Sequence, residues 1–341
     1  MNTKRIISLI AVTLIMFTSA TAQRISVVTE NGVTSIFRTL QDAIESADPG
    51  STIYLPGGGF TLPDSVKITK KLTIIGIGHK SDNENADGST IISGNLWFNE
   101  NSSGSAVMAC YITGDVNIGE GDAAVNDITI MFCNLNSVQV KNSTCQETVV
   151  SQNYVRSTSL FGGANAHILN NVIHAIGKVN GGRISNNLFV AQYEYSASGI
   201  SHSYSCILSD NSIIKNNIFL PQKATDTSYY HYYHYLVAGS ENTVNHNLTR
   251  VDIIGDDGIT LGDIDWNDVF DNYNGGAISP VSSFHFKEDY AEYEHQVGIY
   301  AGDGFNESQQ APVPSIVAKD IPQQTDAAGN LNIKIRVKAG N

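Results

Sequence analysis

Charged residues are scarce in this chain, and the basic ones are the scarcer kind. Of 341 residues, 20 are Lys or Arg and 33 are Asp or Glu, which gives a formal net charge of −13. Nucleic acids and anionic membrane surfaces attract basic proteins, so this balance argues against both as partners. Only 4 Cys are present and no C-x-x-C motif occurs, which argues against a disulfide scaffold, a zinc knot and a thioredoxin-type site.

Long apolar runs are also missing, apart from one at the start of the chain. Lys4 and Arg5 precede a run of 12 mostly apolar residues, Ile6 to Phe17, which is too short to span a bilayer. The small residues Ala20–Ala22 then supply an A-x-A pattern. These three parts predict a secretory signal peptide over residues 1–22, cleaved before Gln23. We therefore expect an exported protein and no integral membrane segment.

Asparagine is abundant and periodic. The chain has 32 Asn, of which 16 lie between positions 134 and 247. The pattern of an apolar residue, two further residues, Asn and another apolar residue recurs at Asn134, Asn153, Asn171, Asn187, Asn217 and Asn247. The spacings of 19, 18, 16, 30 and 30 residues are too short for helical-pair repeats. They suit coils of short strands that stack into parallel sheets, with the repeated Asn forming a buried ladder.

The first part of the predicted mature chain fits such a solenoid. Leu40, Ala43, Ile44 and Ala47 share one face of a short helix, which Thr39 is placed to cap. An amphipathic helix of this kind closes the open end of a solenoid core. The sequence thus predicts an all-β fold, a parallel β-helix solenoid with an N-terminal capping helix.

Two cysteines fall in equivalent positions of neighbouring coils. Stacked Cα atoms about 4.8 Å apart lie within disulfide range, so Cys110 and Cys133 are either bonded or packed as small apolar side chains. The sequence leaves both alternatives open.

Several stretches resemble one known group of proteins. Residues 40–44, 50–56 and 71–76 look like the opening of secreted right-handed parallel β-helix proteins of the pectin-lyase-like superfamily. Residues 284–287 and 297–300 look like their closing rung in Gram-negative bacteria, and residues 312–316 and 326–338 resemble a C-terminal extension in that group. The resemblance implies a right-handed β-helix over residues 23–305 and a C-terminal tail over residues 306–341. It also implies a periplasmic, cell-surface or extracellular location.

Two long inserts provide the leading candidates for a binding site. The two 30-residue spacings leave room for loops rich in tyrosine and histidine. Tyr offers a flat apolar face and a polar tip, which suits stacking on sugar rings, although the same residues could instead pack together to hold the loops down. The candidate ligand-binding residues are Tyr193, Tyr195, Tyr204, Tyr230, His231, Tyr232, Tyr233, His234 and Tyr235.

The resemblance also raises the question of catalysis, because the superfamily contains polysaccharide lyases and hydrolases. Lyases of this fold neutralise a uronate with calcium or a basic residue, and Arg156, Lys178 and Arg183 are the candidates for that role. Asp256, Asp257, Asp263 and Asp265 are weak candidates for calcium, the one cofactor considered. The EF-hand pattern is not met, because Asp268 stands where that loop needs Gly. The hydrolase motifs are also missing.

Three functional hypotheses follow. The first, which we favour, is non-catalytic binding of a glycan or a surface partner through the aromatic inserts. The second is a lyase or hydrolase acting on acidic polysaccharide, and the third is a structural or adhesin-like envelope protein. The negative charge argues against an acidic substrate in the absence of a local basic groove.

Overall fold

A computed structural model describes residues 24–80, 88–190, 205–220, 235–250, 253–262, 264–273, 283–320, 329–330 and 333–338. Within these ranges the chain is a parallel β-helix, in which successive coils place one short strand in each of three long sheets. The predicted signal peptide lies outside the described residues.

Sheet A contains eleven strands. They are β1 (Ile25–Val28), β2 (Thr34–Phe37), β3 (Thr52–Tyr54), β5 (Thr73–Ile75), β8 (Ala106–Met108), β11 (Thr129–Met131), β14 (Val149–Ser151), β17 (His167–Leu169), β20 (Arg183–Ser185), β23 (Ile213–Lys215) and β26 (Thr243–Asn245). The pairs of β1 with β2 and with β3 are antiparallel, and the other pairs in sheet A are parallel.

Sheets B and C complete each coil. Sheet B contains β4 (Gly58–Thr61), β6 (Thr90–Ser93), β9 (Tyr111–Ile112), β12 (Asn134–Leu135), β15 (Tyr154–Val155), β18 (Val172–Ile173), β21 (Leu188–Phe189), β24 (Ile218–Phe219), β27 (Leu248–Thr249) and β28 (Ile259–Thr260). Sheet C contains β7 (Leu96–Phe98), β10 (Val116–Ile118), β13 (Val138–Val140), β16 (Ser159–Phe161), β19 (Ile176–Asn180), β22 (Ser205–Asp210) and β25 (Tyr235–Ala238).

The capping helix α1 spans Leu40–Ser46. The hydroxyl of Thr39 accepts a hydrogen bond from the backbone N–H of Asp42 at 3.1 Å, which satisfies one of the free donors of the first turn. Leu40, Ala43 and Ile44 are buried against the first coil. The helix was predicted from the spacing of these apolar residues, and the structure confirms it.

The core of the solenoid is a column of stacked apolar side chains. In the eight parallel strands of sheet A from β3 to β23, the central residue faces inwards, and the register places one such residue directly above the last. These residues are Ile53, Ile74, Val107, Ile130, Val150, Ile168, Ile184 and Ile214, all fully buried. No coil could bury these side chains alone, so stacking stabilises every coil together.

The asparagine ladder stands beside this column, at the turn from sheet A to sheet B. Asn153, Asn171, Asn187, Asn217 and Asn247 are all fully buried. The side-chain oxygen of each accepts from a backbone N–H one coil earlier, and the amide groups also bond each other at 2.9–3.1 Å.

Asn134 is not part of this ladder. It pairs in register with Tyr154, and Cys133 occupies the ladder position in that coil. The sequence alignment of this copy was wrong by one residue, because Ile130 rather than Met131 pairs with Val150.

Cys133 and Cys110 are free, buried thiols, so the alternative of apolar packing holds in this structure. Burial raises the pKa of Cys133 to about 12.

After the last coil the chain turns back along the outside of the solenoid. A short helix, α2 (Trp266–Val269), and a 3-10 helix (Glu288–Tyr293) belong to this returning part. Its apolar residues pack on the outward side chains of sheet B. The packed set comprises Trp266, Val269, Phe270, Phe284, Phe286, Val297, Ile299 and Phe305 on Tyr154, Val172, Leu188, Ile218 and Leu248. The backbone of Phe286 forms an isolated antiparallel β-bridge with that of Phe270. Residues 284–287 are therefore part of this cover and do not form the closing rung that the resemblance implied.

Residues 297–311, here called the strap, run over the turn between sheets A and B. In successive coils this turn contains a residue in the left-handed conformation, at Ala109, Phe132, Gln152, Asn170, Asn186, Asn216 and His246. Asn170 donates to the carbonyl oxygens of Ile299 and Ala301, both at 2.8 Å. Gln152 accepts from the N–H of Asn306 at 2.7 Å. The strap thus bonds coils that lie more than 100 residues earlier in the sequence.

Beyond the strap lies an antiparallel hairpin of β29 (Ser315–Asp320) and β30 (Lys334–Lys338). Within the described residues, no helix is long and apolar enough to cross a bilayer.

Candidate functional site

A β-bulge interrupts the outer face of sheet C. Between β19 and β22 the register places Ile176 opposite Ile207 and Val179 opposite Ser209. Two residues of β19 therefore lie opposite one residue of β22. The extra residue is Lys178, whose φ of 62° lies in the left-handed region. Such a backbone costs a non-glycine residue about 1–3 kcal/mol. The bulge is a locally strained feature, and the Lys178 side chain is exposed.

The bulge borders an open depression of about 590 Å³, a volume that suits a small-molecule or sugar ligand. Leu208 contributes an apolar surface that is 45% exposed. Gly177 lies close by, and an added Cβ there would stand 3.3 Å from Leu160, so Leu160 leaves little room for a side chain at this position. The polar lining residues are Lys178, Asn180, Ser209, Asp210, Asn211, Ser240 and Glu241.

Asp210 is held in place by the next coil. One of its carboxylate oxygens, Oδ1, accepts from the backbone N–H of Ser240 at 2.7 Å and from the Ser240 hydroxyl at 2.8 Å. These two bonds lower the pKa of Asp210. Beside it, Asn211 donates to the side-chain oxygen of Asn180 at 3.1 Å. The depression therefore offers an ionised carboxylate, amides and an ammonium group next to an apolar surface.

Arg156, a catalytic candidate, binds the surrounding coils. Its guanidinium donates to the carbonyl oxygens of Ile112 at 2.9 Å and Leu135 at 3.2 Å. The guanidinium also donates to the hydroxyl of Tyr111, and its central carbon, Cζ, lies 4.8 Å from the centre of the Tyr111 ring. These contacts satisfy carbonyl groups at the ends of strands β9 and β12 of sheet B and give Arg156 a structural role.

The other basic candidates lie elsewhere. Arg183 begins β20 on the outer face of sheet A and bonds the Ser185 hydroxyl at 3.3 Å. Lys178 lies in sheet C, and Arg156 follows β15 of sheet B. The structure therefore distributes the three candidates over three sheets and does not bring them together.

Of the acidic candidates for calcium, Asp265 has a local structural role. Asp265 caps α2 by accepting from the backbone N–H and the side-chain amide of Asn267, which lower its pKa. The backbone of Asp256 forms an isolated parallel β-bridge with that of Asn245, and Asp257 has a left-handed φ of 51°. Asp263 lies outside the described residues. Among those described, no group of three or more metal-ligating side chains converges.

The aromatic candidates fall largely outside the described ranges. Tyr193, Tyr195, Tyr204, Tyr230, His231, Tyr232, Tyr233 and His234 lie there, and Tyr235 is described only as the first residue of β25. The chain order is nevertheless informative, because the inserts immediately precede β22 and β25. β22 extends about 17 Å from Ser205 to Asp210, the residue that lines the depression.

Sequence reasoning missed most of the depression. Lys178 was one of three catalytic candidates for neutralising a uronate, whereas Asp210, Asn211 and Glu241 were not considered. Gly177 before Lys178 was the one local signal, since a glycine inside a strand often marks a bulge.

The sequence matches no protein-family model and no curated protein. Among solved structures, the chain is similar to a mutant of AlyGC, a PL6 family alginate lyase, with 11% sequence identity and a TM-score of 0.23. The similarity covers 75% of this chain and 57% of that chain, so this chain spans a little over half of that protein. Alginate lyase activity is a property of that protein.

Proposed function

We propose that this protein is exported and binds a glycan, without cleaving it, on the outer face of sheet C. The observation that carries the proposal is the depression at the Lys178 bulge, where an apolar surface lies beside charged and amide groups. Sugars present both an apolar ring face and hydroxyl groups that donate and accept hydrogen bonds, so this combination matches their chemistry.

We propose that the tyrosines of the inserts before β22 and β25 also contact the glycan. Both inserts enter sheet C on the strands whose far ends form the depression. We expect their tyrosines to stack on sugar rings at the opposite ends of these strands, so that an extended glycan lies along β22 and β25. In this proposal the tyrosines of the inserts would supply stacking, and the residues that line the depression supply polar recognition.

A non-catalytic role is favoured by the positions of the basic residues. A lyase needs a group that neutralises the substrate carboxylate close to the base that removes the proton. Arg156 is engaged with carbonyl oxygens, and Lys178 and Arg183 lie on different sheets.

The test is isothermal titration of the full mature chain with a panel of glycans, using two matched variants. Lys178→Ala removes the exposed cation beside the depression, and we expect affinity to fall about fivefold to tenfold. Arg183→Ala removes an exposed cation from sheet A and should leave affinity unchanged.

Three results would overturn the proposal. The first is that no glycan in the panel binds, which would favour a structural role. The second is that Lys178→Ala and Arg183→Ala bind as the parent does. The third is that new reducing ends appear during incubation, which would make the protein an enzyme.

A further inference from the structure

The charges around the depression restrict which glycans it can accept, an inference that rests on the proposed function. Two carboxylates, Asp210 and Glu241, face one ammonium group, that of Lys178, and the remaining lining residues are uncharged. Among the described residues, Lys178 forms no ion pair that would turn it away from a ligand. The lining therefore carries a net negative charge.

The Asp210 carboxylate is oriented before a ligand binds. Both hydrogen bonds from Ser240 fall on Oδ1, and none of the described residues donates to the other oxygen. Ser240 belongs to the following coil, so the carboxylate is held by the stacking of the solenoid itself. It presents an oriented acceptor to the ligand and needs no rearrangement to do so.

An uncharged sugar satisfies this arrangement. Its hydroxyl groups donate to the Asp210 and Glu241 carboxylates and accept from Lys178 and the amides of Asn180 and Asn211. A uronic acid or sulfated sugar instead brings a negative charge beside two carboxylates, with a single cation to compensate. Specific sites reject a wrong ligand through unfavourable charge pairs of this kind.

The charge of the whole chain acts in the same direction. A net charge of −13 repels an extended polyanion before contact. We propose that the sheet C site selects glycans without acidic groups and that Asp210 and Glu241 are the residues that exclude acidic polysaccharides.

A matched ligand pair tests this proposal with the full mature chain. A neutral glycan that binds is compared with its own carboxymethyl derivative, and polygalacturonate with its fully methyl-esterified form. We expect each acidic member to bind at least about tenfold more weakly at low salt. The difference should narrow as salt screens the repulsion.

The double variant Asp210→Asn/Glu241→Gln identifies the residues responsible. The Asn side-chain oxygen can still accept from Ser240, so the turn is retained. We expect the variant to bind the neutral and carboxymethyl glycans with affinities within about twofold of each other. The control Glu45→Gln/Asp48→Asn removes the same charge at the N-terminal cap and should keep the parent's preference.

The outcomes separate the two proposals. Failure of every glycan to bind overturns the proposed function. Binding in which the acidic member of each pair is preferred overturns only the inference about charge, as does a preference for the neutral member that is as large in Asp210→Asn/Glu241→Gln as in the parent.

Discussion

A ladder asparagine is a buried polar side chain whose amide serves several coils at once. Asn171 accepts from the N–H of Asn153 at 2.9 Å and donates to the carbonyl of Val150 at 2.9 Å. It also donates to the side-chain oxygen of Asn187 at 3.0 Å. Because the site is fully buried, each group that loses its partner costs about 1–3 kcal/mol.

The ladder register can be tested with two asparagines that look alike in the sequence. Asn171→Ala leaves several buried groups unpaired and should lower the free energy of unfolding by about 3 kcal/mol. Asn134 is also buried, but its side-chain oxygen has no partner among the described residues. Asn134→Ala should therefore cost about 1 kcal/mol or less. Chemical denaturation measures both, and equal losses would contradict the register.

His79 makes stability dependent on pH. Burial lowers its pKa from the ordinary value of 6.5 to about 4; the bond to Gln309 opposes this shift, and Lys80 and Arg156 reinforce it. Below pH 6.5 the unfolded chain takes up a proton that the folded chain refuses until about pH 4. The free energy of unfolding should therefore fall by about 3 kcal/mol as pH falls from 6.5 to 4.

The variant His79→Gln isolates this contribution from the many carboxylates. Its side chain does not titrate in that range, so its stability should fall less with pH than the parent's, by about 3 kcal/mol. Thermal or urea unfolding at pH 7, 5.5 and 4 gives both curves. Parallel curves for the two proteins would show that His79 does not remain neutral when folded.

At the scale of elements, the strap is the least predictable part of the fold. Its contacts join residues more than 100 positions apart, such as Asn170 with Ile299 and Ala301. Apolar and asparagine periodicity identified the coils because each coil repeats the last one. No repeat encodes the strap, so the sequence showed neither its path nor the cover over sheet B.

The strap should open locally when its attachment is removed. Asn170→Ala leaves the carbonyl groups of Ile299 and Ala301 without their donor, at a cost of about 1–2 kcal/mol. We expect amide hydrogen exchange in residues 297–311 to rise about tenfold. Asn165→Ala is the control, because Asn165 is also left-handed but exposed. Equal exchange in both variants would show that Asn170 does not hold the strap.

The candidate site was only partly predictable for a related reason. The aromatic inserts could be recognised from composition and spacing. The depression depends on a one-residue bulge at Lys178 and on Ser240 reaching back to Asp210 across 30 residues. Such features depend on the register between coils. A register inferred from sequence alone can be wrong by one residue, as the alignment at Asn134 shows.

For the whole molecule, the returning chain divides the surface of the solenoid into a covered face and the face that carries the depression. It buries much of the outer face of sheet B and holds the turn between sheets A and B, which stabilises the stacked coils. The depression lies on sheet C, at the far ends of the strands that the aromatic inserts enter. This division leads to the central claim, that a glycan binds on sheet C.

Hydrogen–deuterium exchange of the full mature chain, with and without a saturating neutral glycan, tests that claim most directly. The account predicts slower exchange in residues 176–180, 208–211 and 238–241, which line or adjoin the depression, and unchanged exchange in β20 and β23 of sheet A. Protection confined to sheet A, or to the strap and its cover, would contradict it.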